Sequence, residues 1–201
     1  LAKFLSKESN KKQIPCFGVL GDLILRFSKL LNQRASHLPS GQHILDDEYF
    51  KKIEALKFTM AHDDGNGVGD IEDSDIIILG VSRTSKTPTC IYLANRGFKA
   101  SNIPIISNIE LPKKITNKKK KNCIIGLVTE AERLMDVRKN RMNLIKENDP
   151  KDYTNLKNIE KEIDLSKRLF RKYNWPTIDV TRKSVEETAA SIIKIYNIMY
   201  S

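Results

Sequence analysis

The sequence predicts an α/β fold, a mostly parallel sheet with helices on both faces, and three observations carry that prediction. Short unbroken apolar runs, among them Ile76-Ile77-Ile78-Leu79 and Cys123-Ile124-Ile125-Gly126-Leu127-Val128, read as strands buried on both sides. Segments with helical apolar spacing lie between such runs, so strands and helices alternate along the chain. The first run leads straight into Gly80-Val81-Ser82-Arg83-Thr84-Ser85-Lys86-Thr87, at the carboxyl end of its strand, where open α/β sheets place their ligands.

Residues 1–45 are weakly patterned, with Pro15, Gly18, Gly21, Pro39 and Gly41 as interruptions, although Leu20 to Leu31 can form a helix. They are expected to be a less regular N-terminal appendage, the remainder of a larger N-terminal region, with residues 46–201 forming the α/β domain. Asp46, Asp47 and Glu48 set negative charge at a helix start, where the dipole favours it, and Tyr49, Phe50, Ile53, Leu56 and Met60 continue that helix as an apolar stripe. The helix ends at His62-Asp63-Asp64-Gly65, and Asn66-Gly67-Val68-Gly69 reads as a flexible link to the first strand, Asp75 to Leu79. Pro88 falls in the first turn of the next helix, where its missing N–H costs nothing. Cys90, Ile91, Leu93 and Ala94 supply that helix's apolar face, Gly97 caps it, and Ile103-Pro104-Ile105-Ile106 is the second strand.

A lysine-rich segment follows, with Lys113, Lys114 and Lys118 to Lys121, and then the strand from Cys123 to Val128. Thr129 and Glu132 have capping-box spacing and open a helix that carries Arg133, Arg138 and Arg141. Leu156, Ile159, Ile163 and Phe170 share one face of a further helix that stops near Asn174. Trp175-Pro176-Thr177-Ile178-Asp179-Val180 is strand-like, its proline tolerable among a strand's first residues. Ser184 and Glu187 form a second capping box before a closing helix with Val185, Ala189, Ile192 and Ile193 on its apolar face.

Composition narrows the function classes. At 201 residues and 40% hydrophobic the chain can bury a core for one domain with an appendage. No apolar run approaches the roughly 20 residues of a membrane span, and the N-terminus lacks a signal-peptide pattern. Cys16, Cys90 and Cys123 show no paired spacing, which makes a reducing cytoplasm the expected compartment, and His37, His43 and His62 are too scattered for a metal site. The net charge of +10 gathers in the lysine segment, which reads as a solvated loop; no aromatic-interleaved basic stripe accompanies it, so a nucleic-acid-binding module is the weakest class. The charge suits an anionic nucleotide or an acidic protein partner.

Gly80 to Thr87 matches the phosphate-loop pattern G-x-x-x-x-G-K-[ST] at every position except the second glycine, which is Ser85. In such loops backbone N–H groups and a helix N-terminus cradle phosphate, the lysine reaches the terminal phosphates, and the hydroxyl ligates Mg²⁺. A Cβ at Ser85 is expected to limit how tightly this loop turns.

Gly80 to Thr87, extended through Thr89-Cys90-Ile91-Tyr92-Leu93-Ala94-Asn95-Arg96-Gly97, closely resembles the signature of the pyruvate, phosphate dikinase regulatory proteins. Gln42-His43, Leu45 to Gly65, Gly126-Leu127 with its arginine-bearing helix, Trp175-Pro176, Ile178-Asp179-Val180-Thr181 and Glu186-Glu187-Thr188-Ala189-Ala190 extend the likeness, in order, over about residues 38–201. One segment departs: the family's N-terminal Ser-Asp-Ser-Thr-Gly-Glu-Thr type motif has no counterpart in residues 1–45. The resemblance implies a P-loop kinase-like fold and a bifunctional enzyme. Such an enzyme phosphorylates an active-site threonine of the dikinase with ADP, releasing AMP, and removes the phosphate by phosphorolysis with inorganic phosphate, giving pyrophosphate. Proteobacterial relatives act on phosphoenolpyruvate synthase instead, and the family resembles a homodimer. A small-molecule P-loop kinase is the alternative enzymatic reading.

On that resemblance the ADP β-phosphate sits on the loop amides of Gly80, Val81, Ser82, Arg83, Thr84 and Ser85 and on Lys86, with Thr87 on Mg²⁺ or a similar divalent cation. Asp63 or Asp64 is the candidate base or metal partner; both precede the first strand, but the ten residues Gly65 to Ser74 can span up to ~33 Å and so return them to the loop. A helix-ending turn is the alternative for this pair. His62 is a candidate proton carrier. Arg138 and Arg141, three apart on one helix face, either clamp a phosphoryl group or form a solvated face. Asp179, at a strand end, either borders the nucleotide or caps the last helix.

Overall fold

The computed structural model describes residues 2–16, 20–34, 46–107, 109–116, 122–145 and 152–200. His37, Pro39, Gly41, Gln42, His43, Leu45, Gly18 and Lys118 to Lys121 therefore lie outside the described residues. The chain divides into two compact units, residues 1–44 and 45–201. The first carries α1 (Ala2–Lys11) and α2 (Gly21–Leu30). Helix α2 coincides with the expected one, whereas α1 forms in the stretch whose patterning is weak.

The second unit contains α3 (Asp47–Ala61), a 3-10 helix (Val68–Asp73), β1 (Ile76–Gly80), α4 (Lys86–Ala94), β2 (Ala100–Pro104), α5 (Lys113–Thr116), β3 (Cys123–Val128), α6 (Ala131–Ile145), α7 (Leu156–Tyr173), β4 (Thr177–Asp179) and α8 (Val185–Tyr200). Among the described residues all four strands are parallel, in the order β2-β1-β3-β4, with Gly80 opposite Pro104, Leu79 opposite Gly126, and Val128 opposite Asp179. This is the α/β parallel sheet that the apolar runs anticipate, with the P-loop kinase-like architecture that the resemblance implies, although β2 is Ala100–Pro104 rather than the expected Ile103 to Ile106.

Strand β1 is buried along its whole length, and its alternating side chains serve two cores. Ile76 and Ile78 pack with Cys90 and Leu93 of α4 and with Ala189 and Ile192 of α8. Ile77 and Leu79 point the other way, toward Ile71, Ile103, Ile105, Ile115 and Phe170. Helices thus cover both faces, and the two-sided burial explains why the strand is a continuous isoleucine run rather than an alternating one. Phe170 of α7 lies so close to β3 that a Cβ at Gly126 would come within 2.5 Å of its ring. Helix α4 ends on Gly97, whose φ of +87° and the bonds Gly97 N–H to Ala94 O and Phe98 N–H to Leu93 O form a Schellman closure.

Four local expectations are corrected. The buried face of α3 is Ala55 and Thr59, while Tyr49, Phe50 and Met60 are exposed, because Thr59 Oγ1 accepts the Ala100 N–H of edge strand β2 at 3.1 Å and that close approach needs small residues. Ile91 of α4 is likewise exposed. The glycine-containing link after the His-Asp-Asp-Gly turn winds into the 3-10 helix, which buries Ile71. Thr129 does not cap α6; the helix starts at Ala131, and the Glu130 N–H donates to Thr181 Oγ1 at 3.0 Å instead. The second capping box forms as expected, Ser184 N–H to Glu187 Oε2 at 2.8 Å and Glu187 N–H to Ser184 Oγ at 3.2 Å. Among the described residues no helix is long and apolar enough to cross a membrane.

Candidate active site

The loop between β1 and α4 closes on itself. The hydroxyl of Thr84 and the ammonium of Lys86 both donate to Val81 O, each at 2.9 Å. Gly80 permits this closure, since a Cβ there would meet Thr84 Oγ1 at 2.8 Å and Leu127 O at 3.1 Å. Arg83 and Ser85 are both left-handed, φ 72° and 59°, a mixed-handed winding of the kind that turns successive N–H groups into an anion-binding concavity. Ser85 therefore adopts the glycine-like conformation that its Cβ was expected to resist, at about 1–2 kcal/mol of local strain. Lys86 is 5% exposed, and burial pushes its ammonium down to about 8, with Asp64, Cys90 and Asp63 pulling it back up and Arg138 adding to the depression.

The His-Asp-Asp-Gly turn is carried to this loop by backbone pairing with β2. Asn102 N–H donates to His62 O at 3.1 Å, and Gly65 N–H donates to Asn102 O at 2.9 Å. Left-handed Asp64 and Gly65, φ 51° and 82°, make the bend possible. The carboxylates then meet the second residue of α4: Thr87 Oγ1 donates to Asp63 Oδ1 at 2.9 Å. Asn102 Nδ2 donates to Asp63 Oδ1 at 2.6 Å and to Thr87 Oγ1 at 2.9 Å, and lies 3.3 Å from Asp64 Oδ1. Asp63, Asp64, Lys86 and Thr87 are thus brought together, 24 residues apart in sequence for the Asp63–Thr87 bond.

Other candidates stand apart from that cluster. His62 is buried, its ring stacks on Phe58 at 3.9 Å between centroids, and its Nδ1 lies 2.8 Å from Phe58 O. A carbonyl only accepts, so the proton sits on Nδ1 and is committed to the last turn of α3. Nε2 is buried with no partner among the described residues. Arg138 and Arg141 do not act as a pair. Arg141 is exposed, whereas Arg138 is 1% exposed, ion-paired with Glu162 of α7 at 2.6 Å, and donates to Tyr153 O at 3.0 Å and to Ser82 O at 3.4 Å. That guanidinium sits over the Tyr153 ring, 4.5 Å from Cζ to the ring centroid, and the Tyr153 hydroxyl accepts from Arg83 Nε at 3.3 Å. Arg138 braces the outer turn of the loop from behind. Asp179 caps no helix: it accepts from Thr181 N–H at 2.9 Å and Thr181 Oγ1 at 2.6 Å, and those bonds hold its carboxyl below the usual range. It lines a cavity of about 590 Å³ with Thr129, Glu130, Glu132, Glu160 and Asp164, off the carboxyl ends of β3 and β4.

Three participants escape a reading of the sequence: Asn102, Tyr153 and Glu162. For Asn102 a signal exists, a polar residue just before a β-branched run, buried to 1% in the strand. For the other two nothing local distinguishes them from neighbouring polar residues.

The residues present fit a phosphate-bearing nucleotide with a hard cation. The loop's left-handed turns and Lys86 suit an anion. Among the described residues no three His, Cys, Asp or Glu side chains converge as a protein-only metal cage. Thr87, Asp63 and Asp64 offer only oxygen, the donor that Mg²⁺ selects when it takes its remaining ligands from phosphate and water.

Comparison with known proteins agrees. The model of a family described as kinase/pyrophosphorylase matches residues 1–193. A protein of Pelagibacter ubique (strain HTCC1062) named "Putative pyruvate, phosphate dikinase regulatory protein" is 63% identical over 198 residues, covering 98% of this chain and 72% of that protein. Proteins of the same name from Caulobacter vibrioides and Bartonella bacilliformis are 44% and 45% identical, over 95% and 97% of this chain and 60% and 69% of their own lengths. The matched span also takes in the N-terminal residues, where no local motif carries a resemblance. With a parallel sheet, a loop of phosphate-loop spacing at its carboxyl edge and a match over nearly its whole length, this chain belongs to the kinase/pyrophosphorylase family.

Proposed function

We propose that this enzyme phosphorylates a threonine of pyruvate, phosphate dikinase with ADP as donor, and removes that phosphate with inorganic phosphate as acceptor. The observation that carries the reading is the joining of Asp63 to Thr87 across the mouth of the phosphate loop, which sets a carboxylate pair beside Lys86. The names of the relatives supply the protein acceptor.

Phosphoryl transfer needs positioning and charge neutralisation more than covalent help. The loop amides and Lys86 hold the β-phosphoryl group, and Arg138 with Tyr153 keeps the loop's outer turn in place. Mg²⁺, when bound, neutralises charge on the phosphate oxygens, and Thr87 with Asp63 would hold it. The threonine oxygen forms a bond to the β-phosphorus as the bond to the bridging oxygen breaks; AMP leaves with that electron pair, and the Asp63–Asp64 pair takes the threonine proton. In the opposite activity a phosphate oxygen attacks the phosphothreonine phosphorus, pyrophosphate forms, and the threonine oxygen regains a proton. The three free thiols suit a reducing cytoplasm, and the family resemblance suits a homodimer.

The test is direct: ADP, Mg²⁺ and phosphohistidine-charged dikinase are mixed with the chain, and AMP and phosphothreonine are measured. Both are expected, and pyrophosphate is expected when the phosphorylated dikinase is supplied with inorganic phosphate. ATP consumption with no AMP formed from ADP would overturn the reading.

A further inference from the structure

Thr87 and the two carboxylates are joined by one side chain that phosphoryl transfer does not by itself require. Asn102 lies mid-strand in β2, opposite Ile78, and is 1% exposed. Its amide nitrogen carries two protons, and the two short contacts, to Asp63 Oδ1 at 2.6 Å and Thr87 Oγ1 at 2.9 Å, use both. Thr87 already accepts from Asn102, so its single proton goes to Asp63 Oδ1. Every proton of the Asp63–Thr87–Asn102 ring is thereby assigned, with Asp63 Oδ1 accepting two. Asp64 keeps only the longest contact, 3.3 Å, and is exposed.

The amide orientation follows from its neighbours. Turning it over would set its oxygen against a carboxylate, so it stays with Oδ1 buried and without a partner among the described residues. A buried orphan carbonyl is unfavourable, and here it is tolerated for the sake of the two N–H bonds. Thr87 Oγ1, having donated once and accepted once, retains one lone pair for a cation.

We propose that Asn102 is a positioning residue that divides labour between the carboxylates, locking Asp63 to Thr87 as the pair that serves the divalent cation and leaving Asp64 as the proton acceptor. This rests on the reading of the loop as a site for ADP with Mg²⁺. The backbone bonds from Asn102 to His62 and Gly65 do not involve its side chain, so a side-chain substitution leaves the turn paired with β2.

Calorimetric ADP affinity as a function of Mg²⁺ concentration tests the proposal on the intact chain. Asn102→Leu is expected to raise the Mg²⁺ concentration needed for half of the affinity gain by about 10- to 100-fold, the scale for losing an outer-shell partner of a metal ligand. Adding Asp63→Asn should cost little more, since the two act through one ring. Asp64→Asn should leave the Mg²⁺ dependence unchanged while phosphotransfer falls. Asn102→Ser retains one donor, is expected to lose less, and replaces the leucine variant if that fails to fold. Multiplicative losses for Asn102→Leu and Asp63→Asn would overturn the proposal, as would an Asp64→Asn loss of Mg²⁺ dependence equal to that of Asp63→Asn, or an effect confined to melting temperature. A wild-type chain that shows the expected coupling but leaves the dikinase unphosphorylated would overturn the proposed function and keep the role of Asn102. A wild-type chain with no Mg²⁺-dependent ADP binding would overturn both.

Discussion

The phosphate loop and the His-Asp-Asp-Gly turn lie side by side, yet they are held in opposite ways. The loop is closed by its own near neighbours: Thr84 and Lys86 bond Val81, three and five residues away. The turn is held by β2, through the backbone bonds of Asn102 to His62 O and from Gly65 N–H, with an Asn102 side-chain bond to Asp63 that spans 39 residues. A locally closed loop carries its geometry with its sequence, whereas a turn held from a distant strand has its geometry only once the sheet has formed. Substitutions in the loop should therefore change chemistry with the fold intact, and substitutions around the turn should reveal which bonds carry it.

The largest expected effect lies in the turn. Asp64→Asn removes a charge and keeps shape, and as the loss of a general base it should reduce threonine phosphorylation by ~10²- to 10⁴-fold with ADP affinity nearly unchanged. Steady-state rates and calorimetry on one preparation separate the two quantities. Near-normal turnover would reduce the turn to a structural bend and break the comparison.

Lys86→Ala comes next, with a loss of at least ~10²-fold in both kinase and phosphorylase directions, the scale for one preorganised electrostatic donor. Circular dichroism should remain that of wild type, because the substitution removes a single local hydrogen bond, the one to Val81 O. Unequal losses in the two directions would show that the directions do not share one phosphate site.

pH sharpens the same point. Lys86 is held at about 8 against an ordinary 10.5, so as pH rises through about 8 the unliganded loop loses its cation, and ADP affinity should fall by up to about tenfold per pH unit. Between about 8 and 10.5 the native state binds fewer protons at Lys86 than the unfolded chain, so this group's contribution makes stability rise with pH there. ADP titrations at pH 7, 8 and 9 check the first statement, and the slope should vanish in Lys86→Ala.

Smaller effects concern stability. Thr59→Val keeps shape but leaves the buried Ala100 N–H of β2 without its acceptor, at a cost of about 1–3 kcal/mol by denaturant titration. Because β2 also carries the turn, phosphotransfer should fall along with stability, unlike any change confined to the loop. Ser85→Gly should have the smallest effect and the opposite sign, relieving up to about 1–2 kcal/mol of left-handed strain. Its melting temperature should rise by a few degrees, and a drop would show that the Ser85 side chain contributes more than its backbone strain costs.

Legibility in the sequence follows the same division. β1 and β3 are readable because burial on both faces forces continuous apolar runs, and the second capping box because its two bonds join residues three apart. The buried face of α3 is not readable: the hydrophobic stripe names Tyr49, Phe50 and Met60, but the face chosen is the one that lets Thr59 reach an edge-strand N–H. Arg138 and Arg141 of α6 divide for a similar reason, the first buried under the loop by Glu162 and Tyr153, the second left in solvent.

The amino-acid sequence by itself determined the alternation of buried strands and helices and the phosphate loop at the end of the first strand, because burial period and turn chemistry act between near neighbours. Only the tertiary structure decided that Asp63 and Asp64 stand at that loop, and that Asn102 lies 2.6 Å from the first carboxylate and 3.3 Å from the second. Sequence bounds how far a connecting segment can reach, but the direction it takes is decided by the strand with which its backbone pairs.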